Sequence, residues 1–219
     1  VIAIVDYGVG NLGSALKAFR RAGAQAELVS DPADLSRAEA LVLPGDGAFG
    51  ATMDEIRGRG LAAALVSAAR AGVPLFGICV GMQVLFEEGE EHGRHAGLGL
   101  LPGRVRRFAG PAFDGERGLA VPHMGWNALR REREHPLLHG LRDGEHVYFV
   151  HSYWCDAAPA DVIASCEYGF AFPAMVARGN VMAAQFHPEK SQAVGLRMVD
   201  AFVRLVAARR AGVAEAAPC

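Results

Sequence analysis

Residues 73–86, VPLFGICVGMQVLF, leave a folding chain few choices. Pro74 opens a short apolar run of the kind that makes a strand buried on both faces. The continuation is expected to be a helix, with Val84, Leu85 and Phe86 on its inner face. Between the two lies Gly77-Ile78-Cys79-Val80-Gly81, the G-x-nucleophile-x-G form of a nucleophile elbow with cysteine in place of serine. A residue on so sharp a strand-to-helix turn has a crowded backbone, so the positions two before and two after it must lack side chains. The thiol then projects from the sheet edge at a helix N-terminus, where free N–H groups and the helix dipole favour thiolate over thiol. Free cysteines are otherwise mostly small buried hydrophobes. The paired glycines, placed after a strand and before a helix, favour the nucleophile.

The chain around this elbow alternates strand and helix. Val1 to Val5 is a continuous apolar run, and Leu12, Ala15, Leu16 and Phe19 follow at helical spacing before Gly23. Ala26–Ser30 and Ala40–Leu43 read as the next two strands. A helical region runs from Phe49 to about Ala71, broken at Gly58-Arg59-Gly60. This order implies right-handed crossovers and a parallel sheet with helices on both faces. After Leu98 the pattern changes to strand-like pieces without long helices: 103–108, 119–121, 127–129, 145–154, 162–167, 174–177 and 181–186. Glycine and proline punctuate them as in antiparallel hairpins. Residues 191–210 close the chain as an amphipathic helix. The expected fold is α/β: a mostly parallel central sheet flanked by helices, extended by antiparallel strands in the second half. One domain over 1–211 is expected, with 212–219 a disordered tail and Cys219 incidental.

Charge and cysteine usage narrow the function. With 22 basic and 24 acidic side chains, the chain has neither the footprint of a nucleic-acid binder nor a polybasic membrane anchor. No apolar run approaches the roughly 20 residues of a spanning helix. Val1–Val5 runs straight into a turn, so no secretory leader is expected. The four cysteines (79, 155, 166 and 219) show no zinc spacing, and a chain of this size needs no staples. A cytoplasmic protein without metal or organic cofactor is expected.

Three further segments bear on chemistry. Gly8-Val-Gly-Asn-Leu-Gly13 matches the dinucleotide fingerprint, with Asp31 near the end of the second strand. Asp6 and Tyr7 intervene before the first glycine, however, and put a carboxylate where a pyrophosphate would come close. Gln185-Phe-His-Pro-Glu-Lys-Ser191 follows a strand and precedes the last helix. In an extended segment residues two apart face one side, so His187 and Glu189 can stand together, with Pro188 stiffening the spacing. That gives an imidazole and a carboxylate to orient it. In the loop Pro44-Gly45-Asp46-Gly47-Ala48-Phe49, two glycines let the backbone approach a reacting carbonyl. One of its N–H groups, with that of Val80, would supply the two donors of an oxyanion hole.

Together these segments resemble the class I (triad) glutamine amidotransferases, over nearly the whole chain. Further segments are similar to the glutaminase subunits that feed a cyclase in histidine biosynthesis: Asp6-Tyr-Gly-Val-Gly-Asn-Leu12, Pro44–Gly50, Gly97-Leu-Gly-Leu100, Val121-Pro-His-Met-Gly-Trp-Asn127 and Tyr148-Phe-Val-His-Ser-Tyr153. The resemblance implies a triad of Cys79, His187 and Glu189. It implies an oxyanion hole at Gly45, Asp46, Gly47 and Val80. Gln83, Glu91 and the backbone of Val150, His151 and Ser152 would hold the amino-acid head of L-glutamine. Asn11, Trp126, Tyr148 and Lys190 would lie at the surface facing a partner, a (β/α)8-barrel cyclase subunit in a heterodimer. It implies a nearly idle isolated subunit, its Gly45–Asp46 peptide turned the wrong way. Position 46 is Asp where the family more often has valine, position 80 Val where leucine is usual, and position 13 Gly where arginine is common. Because the hole uses backbone N–H groups, the Asp46 side chain can point to solvent. Three alternatives stay open on the residues: a glutaminase subunit of another amidotransferase, a cysteine-elbow hydrolase acting on esters or peptides, and a dinucleotide-binding protein using the Gly8–Gly13 loop.

Overall fold

The computed structural model describes residues 1–116 and 118–212; most of the expected tail, Cys219 included, lies outside them. The first half is laid down as β1 (Ile2–Val5), α1 (Leu12–Arg21), β2 (Ala26–Val29), α2 (Pro32–Leu35), β3 (Ala40–Gly45), α3 (Phe49–Gly58), α4 (Leu61–Arg70), β4 (Leu75–Cys79) and α5 (Val80–Gln83). Then come β5 (Phe86–Gly89), β6 (His95–Ala96), β7 (Leu101–Arg107), β8 (His123–Arg131), β9 (His146–His151), β10 (Tyr153–Ala157), β11 (Val162–Glu167), β12 (Ala171–Arg178), β13 (Val181–Ala184) and α6 (Gln192–Arg210).

Nine strands form the main sheet in the order β2-β1-β3-β4-β13-β12-β11-β8-β9. The five from β2 to β13 are parallel, and β12, β11, β8 and β9 continue the sheet antiparallel. The expected α/β architecture is therefore present. The connection through α1 runs one way along the sheet and those through α2 and α3–α4 run the other, so right-handed crossovers put them on opposite faces. Phe202 of α6 stacks on Phe76 of β4 at 5.2 Å and meets Phe19 of α1 edge-on at 6.0 Å, which pins α6 beside α1. The break between α3 and α4 falls at Arg59-Gly60, as the glycines predict.

Four elements differ from expectation. The helix after Cys79 is a single turn, and Phe86 begins a strand. Val84, Leu85 and Phe86 are all buried, but the backbone N–H groups of Leu98, Leu100 and Gly99 take their carbonyls at 2.8, 2.9 and 3.1 Å. A short apolar run does not tell strand from helix by periodicity. Residues 119–121 form no strand, and pairing with β9 extends the piece at 127–129 back to His123. The piece at 145–154 breaks at Ser152, so that β9 closes the main sheet while β10 joins a second sheet, β10-β7-β5-β6. Asp31 caps α2, its Oδ1 accepting the Ala33 N–H at 2.8 Å.

Candidate active site

Parallel sheets leave their crevices at the C-terminal ends of strands, and β3, β4 and β13 end together here. Gly45 pairs with Cys79 and Ala184 with Ile78, so the residues just beyond β13 emerge beside the cysteine. Cys79 has φ 56° and ψ −114°, a conformation a side-chain-bearing residue adopts only when its surroundings impose it. The surroundings do. A Cβ on Gly81 would lie 1.8 Å from the Leu43 carbonyl oxygen, and one on Gly77 would lie 2.6 Å from that of Gly81. The elbow closes only with glycine at both places.

The sulfur sits 4.0 Å from the Val150 carbonyl and opens onto a cavity of about 290 Å³. It is not shut in a dry core. His187 Nδ1 donates to Glu189 Oε1 at 2.7 Å, and its Nε2 has no hydrogen-bond partner among the described residues. Burial alone would lower the imidazole pKa; interaction with Cys79 and with Glu189 outweighs it and holds the value near 10. Sulfur, imidazole and carboxylate are thus brought together across residues 80–186, because β4 and β13 are neighbours in the sheet. The means differs from expectation: residues 188–190 make a 3-10 turn rather than an extended segment. Ser191 fastens that turn, its Oγ donating to the His187 carbonyl at 2.7 Å and accepting the Tyr148 N–H at 3.0 Å.

The cavity collects most of the remaining expected residues. Asp46, Gly47, Val80, Gln83 and Glu91 line it from one side, and Val150, His151 and Ser152 from the other. Gly45 lies behind them in β3. Glu91 has a structural duty as well: Oε2 accepts the Phe49 N–H at 2.7 Å and so caps α3, whose own N-cap residue is alanine. Pro122 and Tyr153 also line the cavity and were not singled out, although both lie within segments that carry the resemblance.

The Asp46 side chain is partly in solvent but its carboxylate is tied: Oδ2 accepts the Asn11 N–H at 3.0 Å, and Oδ1 stands 3.8 Å from His187 Nε2. The unsatisfied N–H at the start of the α1 turn and the buried imidazole both draw it inward. The same contact answers the Gly8–Gly13 motif. An internal carboxylate occupies the N–H that a phosphate would seek, and Asp6 Oδ1 accepts the Gly8 N–H at 2.9 Å. That loop is a tied turn.

Beside the cavity lies a second histidine cluster. His151 Nδ1 faces the Tyr153 carbonyl at 2.8 Å, an acceptor, so it carries the proton and Nε2 accepts from His123 Nδ1 at 3.0 Å. Asn127 Nδ2 donates to His123 Nε2 at 3.2 Å. Burial pushes the His123 pKa down to about 4 and that of His151 to about 3. Both rings are neutral, and every nitrogen is engaged.

On the outside, Met124 and Trp126 of β8 pair with Val150 and Tyr148 of β9. Met124 is 62% and Trp126 46% exposed, so the indole is no core aromatic. Asn11 and Lys190 are exposed as well. No helix among the described residues is long and apolar enough to cross a membrane, and no group of three or more ligating side chains among them could hold a metal ion.

Comparison with known proteins agrees with this geometry. The family model "Glutamine amidotransferase class-I" matches residues 3–204. The imidazole glycerol phosphate synthase subunit HisH of Salinibacter ruber is 51% identical over 210 residues, covering 95% of this chain and 96% of that one. HisH of Geobacillus thermodenitrificans is 49% identical over 213 residues, covering 97% and 99%. A solved glutamine amidotransferase shares the fold at 24% identity, with a TM-score of 0.69 over 97% of this chain and all of that one. The chain belongs to the class-I glutamine amidotransferases, and within them to the HisH type.

Proposed function

We propose that this chain is the glutaminase subunit of imidazole glycerol phosphate synthase, working in histidine biosynthesis, with Cys79, His187 and Glu189 as its catalytic triad. The observation that carries the assignment of residues is the imidazole at the elbow, hydrogen-bonded to Glu189 on one nitrogen and without a partner among the described residues on the other. Cys79 sulfur attacks the side-chain amide carbon of L-glutamine. The oxyanion rests on the Val80 N–H and on an N–H of the Gly45–Gly47 loop. An imidazole whose pKa stands near 10 begins the reaction protonated and gives its proton to the departing ammonia. What remains is a γ-glutamyl thioester. The now neutral His187 takes a proton from water, whose oxygen attacks the thioester and releases glutamate. Gln83, Glu91 and the Val150–Ser152 backbone hold the amino-acid head.

Being a subunit, the chain has a partner. The proposed partner is the (β/α)8-barrel cyclase, bound as a heterodimer in the cytoplasm. Exposed Met124 and Trp126, next to the cavity-lining Val150, suit the face that receives it, with Tyr148, Lys190 and Asn11 at its margin. Ammonia released in water would be protonated and lost, so delivery through a closed interface preserves its reactivity. In the cyclase it would join a phosphoribulosylformimino-aminoimidazolecarboxamide ribotide on the way to imidazole glycerol phosphate. The test is glutamine hydrolysis by the chain alone and with cyclase plus its substrate. Slow turnover alone and a large rise in the complex are expected. Equal rates would remove the partner's control, and ester cleavage without glutamine turnover would favour a plain cysteine hydrolase.

A further inference from the structure

Gln185 opens the HPE segment but takes no part in the mechanism above. Its side chain is fully buried, next to the nucleophile. A buried amide is stable only when its polar atoms are satisfied, and here the partners dictate which way it faces. Gln83 Nε2 lies 3.2 Å from the Tyr153 carbonyl, which only accepts. That end of Gln83 is therefore the NH2 group, and its second hydrogen goes to Gln185 at 3.1 Å. The Gln185 atom receiving it must be Oε1. Cys155 Sγ approaches the same oxygen at 4.0 Å; burial raises the pKa of this thiol well above its ordinary value, so it too is a donor. Both donors fix Oε1 on their side, and Nε2 is left pointing at Cys79 Sγ, 3.9 Å away. The backbone does not depend on this arrangement, since the Gln185 N–H is held separately by the Ala174 carbonyl at 2.9 Å.

The geometry points to Gln185 as a positioning residue of the glutaminase reaction, whose amide N–H, locked in direction by Gln83, donates to the Cys79 sulfur and favours its anionic form. The inference rests on the function proposed above. A sulfur on a strained elbow needs a fixed direction of attack, and a donor below it supplies one from the side away from the substrate. A neutral donor also stabilises the anion without adding a charge that would hold the thioester's leaving sulfur too firmly. Titratable groups around the sulfur are His187 after β13 with Glu189 bound to it, Asp46 after β3, Tyr7 after β1, Glu91 after β5, His151 at the end of β9, and Tyr153 and Cys155 in β10. Cys155 also contacts the Gln185 side chain.

The test uses the full chain with Gln185→Met, which keeps the volume and removes the donor, and Gln185→Glu, which keeps the shape and turns an oxygen toward the sulfur. Carbamidomethylation of Cys79 by iodoacetamide is followed by mass spectrometry from pH 5 to 9, beside kcat and KM for glutamine. In Gln185→Met the midpoint of alkylation should rise by about one pH unit and kcat should fall about tenfold, with KM within about twofold. Gln185→Glu should lose more on both counts. Thermal melting identifies folded variants, and if the methionine variant does not fold, the glutamate variant decides. A folded variant with the wild-type alkylation profile overturns the inference. Alkylation does not depend on turnover, so a wild type that stays inert toward glutamine even with the cyclase and its substrate, yet with shifted variants, would sink the proposed function and leave the positioning role standing.

Discussion

Two histidine sites lie within reach of one cavity, and their chemistry is opposite. His187 is buried beside a carboxylate and a sulfur; it has a pKa near 10 and a nitrogen with no hydrogen-bond partner among the described residues. His123 and His151 are buried among aromatic rings with their nitrogens engaged, and burial drives their values down to about 4 and 3. Burial alone disfavours the charged ring, and only neighbouring charge reverses it. Unfinished hydrogen bonding marks the place where a ligand completes the set. The finished network is scaffold: it ties β8 to β9 and holds the Val150–Ser152 wall of the cavity.

The contrast breaks most visibly at the reacting groups. Cys79→Ala and His187→Asn should each lower glutamine turnover about 10⁴-fold in steady-state assays of the complex, and the double variant should be scarcely worse than either, because the two act as a unit. If His123→Gln did the same damage, the division between site and scaffold would fail. Next is Glu189→Gln, for which a loss of up to about 10⁴-fold is expected. Without that carboxylate, burial regains ground and the His187 pKa falls from about 10 toward its ordinary value, visible in an NMR titration of the ring.

Asp46→Asn carries a smaller effect of opposite sign. Its carboxylate is 3.8 Å from His187 Nε2 and, in the proposed mechanism, would repel the oxyanion. Removing the charge while keeping an acceptor for the Asn11 N–H should raise partner-free turnover severalfold. The gain is held down because the side chain is 40% exposed and water screens it. Unchanged turnover would leave the carboxylate without an electrostatic role.

The smallest effect concerns stability. The unfolded chain protonates its histidines near pH 6.5, whereas His123 and His151 wait until about 4 and 3. Between these values the unfolded state binds more protons, so stability is full above 6.5 and drains away as pH falls toward 4. Urea titrations at pH 7 and 4.5 should differ by about 2 kcal/mol from His151, with His123 adding a share of its own. Exchanging His123 for glutamine should reduce the fall. His187 runs the other way: its folded value is raised, so its contribution is present below 6.5 and is lost as pH rises through about 10.

Much of the site was legible because it is written in short segments. Gly77, Cys79 and Gly81 announce the elbow by spacing alone, and His187 with Glu189 announces the imidazole's partner. What escaped the sequence is non-local. The strand at Phe86 exists because residues 97–101 fold back onto it. The second sheet depends on the break at Ser152. The inward turn of Asp46 needs the Asn11 N–H, 35 positions away in the chain, and the direction of Gln185 needs Gln83, 102 positions away. Periodicity carries none of this.

The proposed chemistry requires a reactive sulfur at Cys79, and labelling by an electrophilic glutamine analogue, mapped by peptide mass spectrometry, reads it directly. One adduct is expected, on Cys79, abolished by excess glutamine and by His187→Asn. Labelling at Cys155 or Cys166 instead, or a Cys79 that reacts equally well when glutamine is in excess, would contradict it.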